Sequence, residues 1–147
     1  MKEQEDEELL KDICARIPYG VIGAVEHYDE TTKEPAYLLG ALWGIDGYNR
    51  VQFAYLPEYA DDEGAYNYFD FKLFKPYLRP MSSMTEEEWN DLIMEQTCGD
   101  RERNMVAKFD WLNKNKFDYR GLIPKGRAIE VTKDDNPYKD LDYENLY

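Results

Sequence analysis

Apolar positions near the start of the chain recur every three or four residues, and further on they recur every second residue. The change of period separates an opening helix from a run of strands. Over residues 4–17, Leu9, Leu10, Ile13, Cys14 and Ile17 share one helical face, and acids fill the rest. The acids cluster in the first turns, where the helix dipole favours them. Pro18 lacks the N–H that would continue the ladder and ends the helix. Residues 19–28, YGVIGAVEHY, read as a strand, and 29–35, DETTKEP, as a polar turn.

Asp46-Gly47 lies between PAYLLGALWGI and YNRVQFAYL, and Asp-Gly favours a two-residue hairpin loop. Such a loop sets Ile45 against Tyr48, Leu42 against Val51, Gly40 against Phe53 and Leu38 against Tyr55. One face then carries Leu38, Leu42, Val51, Phe53 and Tyr55 as a core wall, with Gly40 leaving room for the Phe53 ring. After a loop over 57–67, YFDFKLFK (68–75) alternates, with Phe69, Phe71 and Leu73 on one side, and reads as a half-buried strand.

Residues 75–83 carry Pro76 and Pro80 and read as an extended connector. A helix follows. Thr85 is its N-cap, Glu88 completes a capping box, and Met84 and Trp89 have staple spacing. Trp89, Leu92, Ile93 and Gln96 share one face of it, and Gly99 suits the C-terminal cap. Asp100 then caps a helix over 101–114, striped by Met105, Val106, Phe109 and Leu112. Pro124 and Gly126 break the run 117–131, and Arg127–Val131 can form a short last strand. Residues 134–147 are acidic, lack an apolar period and are expected to form a flexible tail on a single domain over 1–133. The pattern predicts an α+β fold: an N-terminal helix, an antiparallel four-stranded meander or small barrel, two helices and a short C-terminal strand.

Composition narrows the function. The 147 residues are 43% hydrophobic, enough for one core. No apolar run reaches membrane-spanning length and no leader opens the chain, so a cytoplasmic protein without membrane contact is expected. The net charge is −13, which argues against a uniformly nucleic-acid-binding surface. Residues 101–133 nevertheless hold nine basic and four acidic residues, a segment of +5 against −18 elsewhere. Arg120, Lys125 and Arg127 form its basic turn, which can hold phosphate groups.

Catalytic motifs are absent: the sequence has no GxGxxG, P-loop, GxSxG or HExxH. Cys14 and Cys98 lack metal-ligand spacing, and Cys14 on the apolar helix face reads as a buried structural thiol. Cys98, near Arg101 and Arg103, could pair with His27, the single histidine, in a small hydrolase. Asp61, Asp62 and Glu63 read as a solvated loop rather than a metal site. No catalytic residue, metal or cofactor is therefore assigned. The favoured reading is a non-enzymatic protein that binds another protein or itself, with Trp43, Tyr48, Tyr55, Tyr59 and Tyr66 as aromatic anchors. The alternative is a nucleic-acid role, by direct contact through 101–133 or by acidic mimicry of DNA.

Three phrases add a context: PYGV at 18–21, KPYLRPMSSMTEEE at 75–88 and DWLNKNKFDYRGLIPKGRA at 110–128. Together they resemble a family of small proteins encoded by gut Bacteroidales bacteria and their phages. The resemblance implies a phage or mobile element acting in a bacterial cytoplasm. It brings no activity, substrate or cofactor, and this chain differs in its aromatic loop around 55–68 and its acidic tail.

Overall fold

The computed structural model describes residues 2–29, 31–56, 66–97 and 99–139. Helix α1 (Lys2–Arg16) ends in a 3-10 turn, Ile17–Tyr19. Four strands follow: β1 (Ile22–Asp29), β2 (Glu34–Ile45), β3 (Arg50–Tyr55) and β4 (Tyr66–Asp70). Then come β5 (Phe74–Leu78), α2 (Glu86–Glu95), α3 (Arg101–Lys114) and β6 (Ile129–Glu130). The fold is α+β. Its sheet runs β4-β3-β2-β1-β5-β6. The first four strands form the antiparallel meander, β5 lies antiparallel to β1, and β6 lies parallel to β5.

The sheet is open and not a barrel. The reason lies at Phe71–Leu73, where the stretch expected to be one strand over 68–75 is interrupted by a 3-10 turn. Asp70 caps that turn by accepting the Lys72 N–H at 2.9 Å. The chain then crosses to the far side of the meander, so β4 pairs with β3 but β5 pairs with β1. Phe71 is buried by the turn, whereas Leu73 is exposed. The first half of the expected proline connector is thus strand β5.

The β2–β3 hairpin is built differently from its Asp-Gly signal. The Asp46 carboxylate accepts the N–H groups of Tyr48 and Arg50, each at 2.9 Å, and the left-handed residue is Asn49. The loop therefore spans four residues. Leu42 pairs with Phe53, and a bulge between Leu42 and Gly44 then brings Ile45 opposite Val51. From Gly40 to Leu42 the slip from the expected register is two residues, and the bulge adds a third at Ile45. An even slip keeps every side chain on its face, so Leu42, Val51 and Phe53 are buried as expected, with Leu38 and Tyr55 packed at their margin.

Gly23 and Gly40 are paired across β1 and β2. A Cβ on Gly23 would lie 2.4 Å from the Phe74 ring, and one on Gly40 would lie 2.7 Å from the Phe53 ring. The two rings rest on this glycine window and meet edge to face, with centroids 6.1 Å apart.

Leu9 and Ile13 of α1 close the core over the sheet. The helix is rotated from its expected setting. Asp12 and Arg16 point inward at 0% exposure, and Cys14, expected to be buried, is exposed. The cause is a fitted ion pair. Arg16 donates to Asp12 at 2.8 and 3.0 Å and to the Phe117 carbonyl at 2.6 Å. A guanidinium paired in this way through two of its nitrogens tolerates burial that a lone charge would not.

Helices α2 and α3 enclose a second core of Leu92, Leu112 and Phe117. The capping box of Thr85 and Glu88 and the Asp100 cap are present. The C-cap of α2, however, is Gln96 and not Gly99. Trp89, Ile93, Met105 and Val106 remain exposed, because each helix buries only the edge facing its neighbour. The expected last strand is present as β6, shortened to two residues. Tyr138 lies within the segment expected to be a flexible tail. Tyr138 accepts the Ile22 N–H at 2.9 Å and donates to the Tyr77 carbonyl at 2.8 Å, fastening the chain to the sheet. No helix among the described residues is long and apolar enough to cross a membrane.

Candidate functional site

The outer face of the sheet follows from the strand period. Since Val51, Phe53 and Tyr55 of β3 face the core, Arg50, Gln52 and Ala54 face away from it. The register sets Ile22 beside Ala41, Ala41 beside Ala54, and Gln52 beside Tyr68. Ala24, Ala41 and Ala54 make a low, buried floor on this side. The bulge leaves Trp43 as the extra residue of β2, next to Gln52 on the outer side. Tyr37 stands further along β2 on the same face.

Large apolar rings thus surround a small-residue floor and keep much of their surface in water. Tyr37 is 48% exposed, Trp43 39% and Tyr68 42%, and Tyr48 at the hairpin tip is 83% exposed. Arg50 organises the hairpin end. Its guanidinium lies 5.4 Å from the ring centroids of both Tyr48 and Tyr68. The same group binds Asp46 through Nε and a terminal nitrogen, each at 2.7 Å. Partial desolvation raises the Asp46 carboxyl, but hydrogen bonds from Arg50 and from the Tyr48 N–H outweigh it and hold the pKa below the ordinary value. The result is a cation fixed between two tyrosines beside an exposed tryptophan. Rings held in this way lose little conformational entropy on contact.

Of the expected aromatic anchors, Trp43 and Tyr48 belong to this face. Tyr55 does not. It packs edge-on against Phe53 at 5.4 Å and belongs to the core margin. Tyr66 contributes backbone to β4, but its side chain, like Tyr59, Asp61–Glu63, Cys98 and the side chain of His27, lies outside the described residues. Sequence reasoning missed Tyr37 and Arg50. The signal was available in the period of two, because each neighbours a core-facing residue, Leu38 or Val51.

The basic turn sits elsewhere and is not an open surface. Lys125 reaches Glu8 at 2.9 Å. Arg127 reaches Asp6 at 2.6 Å and Glu5 at 3.6 Å, and Arg120 lies 3.4 Å from Asp12. These acids fall on successive turns of α1. The three expected phosphate-binding cations are therefore matched by the chain's own acidic helix. Lys125 lowers the Glu8 pKa, and Glu8 raises that of Lys125. Among the described residues, no group of three or more His, Cys, Asp or Glu could hold a metal ion. Compared with known proteins, the chain matches no family model, no curated protein and no solved structure.

Proposed function

We propose that this chain is a non-enzymatic accessory protein of a phage or mobile element, and that it binds a protein partner on the outer sheet face. The observation that supports the reading is the hairpin end of that face, with Trp43, Tyr48 and Tyr68 partly in water and Arg50 fixed between the tyrosines. Trp, Tyr and Arg are the residue types that dominate interface energetics. Strand β4 adds an edge whose one strand neighbour among the described residues is β3, so a docking segment can extend the sheet. The competing idea, nucleic-acid contact through 101–133, loses its main support because Arg120, Lys125 and Arg127 face α1.

The test compares wild type with a Trp43→Ala/Tyr68→Ala variant in bacterial lysate capture and in light scattering at several salt concentrations. Both proteins should melt alike, since the two rings are partly solvated. Wild type should capture a protein, or self-associate, and the variant should not. A strictly monomeric wild type that captures nothing beyond what the variant captures overturns the proposal.

A further inference from the structure

Helices α2 and α3 leave several large apolar side chains in water. Trp89 is 53% exposed, Ile93 43%, Met105 52% and Val106 61%. One such residue on a surface is ordinary, but a cluster rimmed by charge marks an interaction site. The four share one side of the helix pair. Residues 96–100 join the end of α2 to the start of α3. Arg79 ties Glu88, in the first turn of α2, to the Phe117 ring just past the end of α3. The other two ends therefore also meet, and the helices run antiparallel. Leu92 and Leu112 both turn into the small core between them. At about 100° per residue, Trp89 and Ile93 stand about 60° and 100° round from Leu92, and Met105 and Val106 about 20° and 120° round from Leu112, all in one rotational sense. In antiparallel helices whose inward residues face each other, one sense of rotation leads to one side.

The charges divide by helix. α2 carries five acids and no base, whereas α3 carries four bases against Glu102 and Asp110. The same rotation sets Glu86 and Glu87 on the outer edge of α2, the edge turned away from α3. Arg103 and Lys114 stand on the outer edge of α3, where Asp110 leaves a net positive charge. Glu86, Glu87, Arg103 and Lys114 are all exposed. Among the described residues, none of these four takes part in an ion pair. The hairpin thus presents an apolar strip between an acidic rim and a basic rim. Such a surface complements a rotated copy of itself.

We propose that the α2–α3 hairpin binds a second copy of the chain, as a symmetric dimer whose two-fold axis runs along the helices. Half a turn about that axis lays each α2 over the α3 of the other copy. Apolar strip then meets apolar strip, and each acidic rim lies beside a basic one. A two-fold axis across the helices would instead set α2 on α2 and α3 on α3, with like charges opposed. The opposite signs of the two rims are what select a second copy as the occupant. Two helices side by side offer a footprint of about 20 by 20 Å, at the low end for a specific interface, so a reversible dimer dissociating at about 1–100 µM is expected. The surface uses none of the residues of the outer sheet face, so this dimer goes beyond the partner binding proposed there.

The experiment is sedimentation velocity of the full chain over about 1–200 µM, at low and high salt. Wild type should pass from monomer to dimer, and added salt should weaken the dimer. Ile93→Ala/Val106→Ala trims the strip while raising helix propensity, so it should melt no lower than wild type and associate at least about tenfold more weakly. Glu86→Lys/Glu87→Lys and Arg103→Glu/Lys114→Glu should each lose at least about tenfold on their own. An equimolar mixture of the two should regain most of the association, because every α2 again meets an α3 of opposite charge. A monomer at every concentration, undiminished association in Ile93→Ala/Val106→Ala, or a mixture no tighter than its components overturns the proposal. So does wild-type association that tightens with salt, the sign of α2 meeting α2. If a charge-reversed variant does not fold, Ile93→Ala/Val106→Ala decides alone. Trp43→Ala/Tyr68→Ala should keep this dimer. Association lost in that variant but kept in Ile93→Ala/Val106→Ala moves self-association to the sheet face, and a monomer that still captures a protein through Trp43 and Tyr68 sinks the dimer alone.

Discussion

Alanine at position 23 would place its Cβ 2.4 and 2.5 Å from two Phe74 ring carbons and 2.7 Å from the Lys75 carbonyl oxygen. Gly23 does not adopt a left-handed conformation. In open space the change would therefore stabilise by about 0.4–1 kcal/mol, through a less flexible unfolded chain. Its neighbours reverse the sign. The Phe74 ring is fully buried and pinned against Phe53, which itself sits over Gly40. The carbonyl belongs to the adjacent strand and cannot turn away without breaking the β1–β5 pairing. Overpacking of this kind costs about 1–3 kcal/mol, and a ring plus a backbone atom puts it at the upper end. Set against the entropic gain, the net loss is about 2 kcal/mol. For a chain of this length that lowers the melting midpoint by roughly 4–8 °C. Urea unfolding followed by circular dichroism should show a lower midpoint at unchanged slope. Combining the change with Phe74→Leu should cost at least about 1 kcal/mol less than the two single changes added together, because both act on one contact. A raised midpoint for Gly23→Ala, or strict additivity, would refute the glycine-window reasoning.

Three other perturbations probe separate parts of the molecule. Arg79 hydrogen bonds, working against partial desolvation, hold the Glu88 carboxyl at about 2 instead of its ordinary 4.5. Its contribution is therefore complete above pH 4.5 and is lost as pH falls toward 2. Roughly 2–3 kcal/mol rides on it after allowance for partial exposure, and Glu88→Gln should flatten that acid limb in a stability–pH series. Arg16→Met leaves Asp12 buried without its closest cation and should cost about 3–5 kcal/mol, while Asp12→Leu/Arg16→Met together should cost less than Arg16→Met alone. Tyr138→Phe strands the Ile22 N–H and the Tyr77 carbonyl and should cost about 1–3 kcal/mol; an unchanged urea midpoint would show that the segment after 133 is not fastened.

What the sequence disclosed was mainly local. The capping box at Thr85, the Asp100 cap and the inward set Leu42, Val51 and Phe53 depend on neighbours in sequence or on a period of two, and both survive errors in register. The hairpin loop was misread because Asp-Gly is a statistical signal, whereas the Asp46 side chain, by accepting two N–H groups, made a longer turn. The alternation over 68–75 set Phe69 and Phe71 inward but not Leu73, which the 3-10 turn exposes, and alternation carries no information about which edge a strand joins. The inward turn of α1 was hidden for another reason. Asp12 and Arg16 look like surface residues until Phe117, far along the chain, offers its carbonyl. The same long-range pairing concealed the fate of the basic turn. A charge count of +5 registers excess and is blind to the acidic helix that meets it. The aromatic face was half legible, since the abundance of tyrosine was plain but its division between core and surface required the register.

The matching of α1 to residues 120–127 also bears on the order of synthesis. Glu8 and Lys125 are 117 residues apart, and Arg16 finds the Phe117 carbonyl across 101. At ribosomal rates of about 5–20 residues per second, the opening helix is made roughly 6–23 s before its cationic counterpart. During that interval its acids have no partner turn to face, and its Leu9–Ile13 stripe has no finished sheet to cover. The anionic amphipathic segment must therefore stay in water until residues 117–127 have been made, and docking of α1 follows their synthesis.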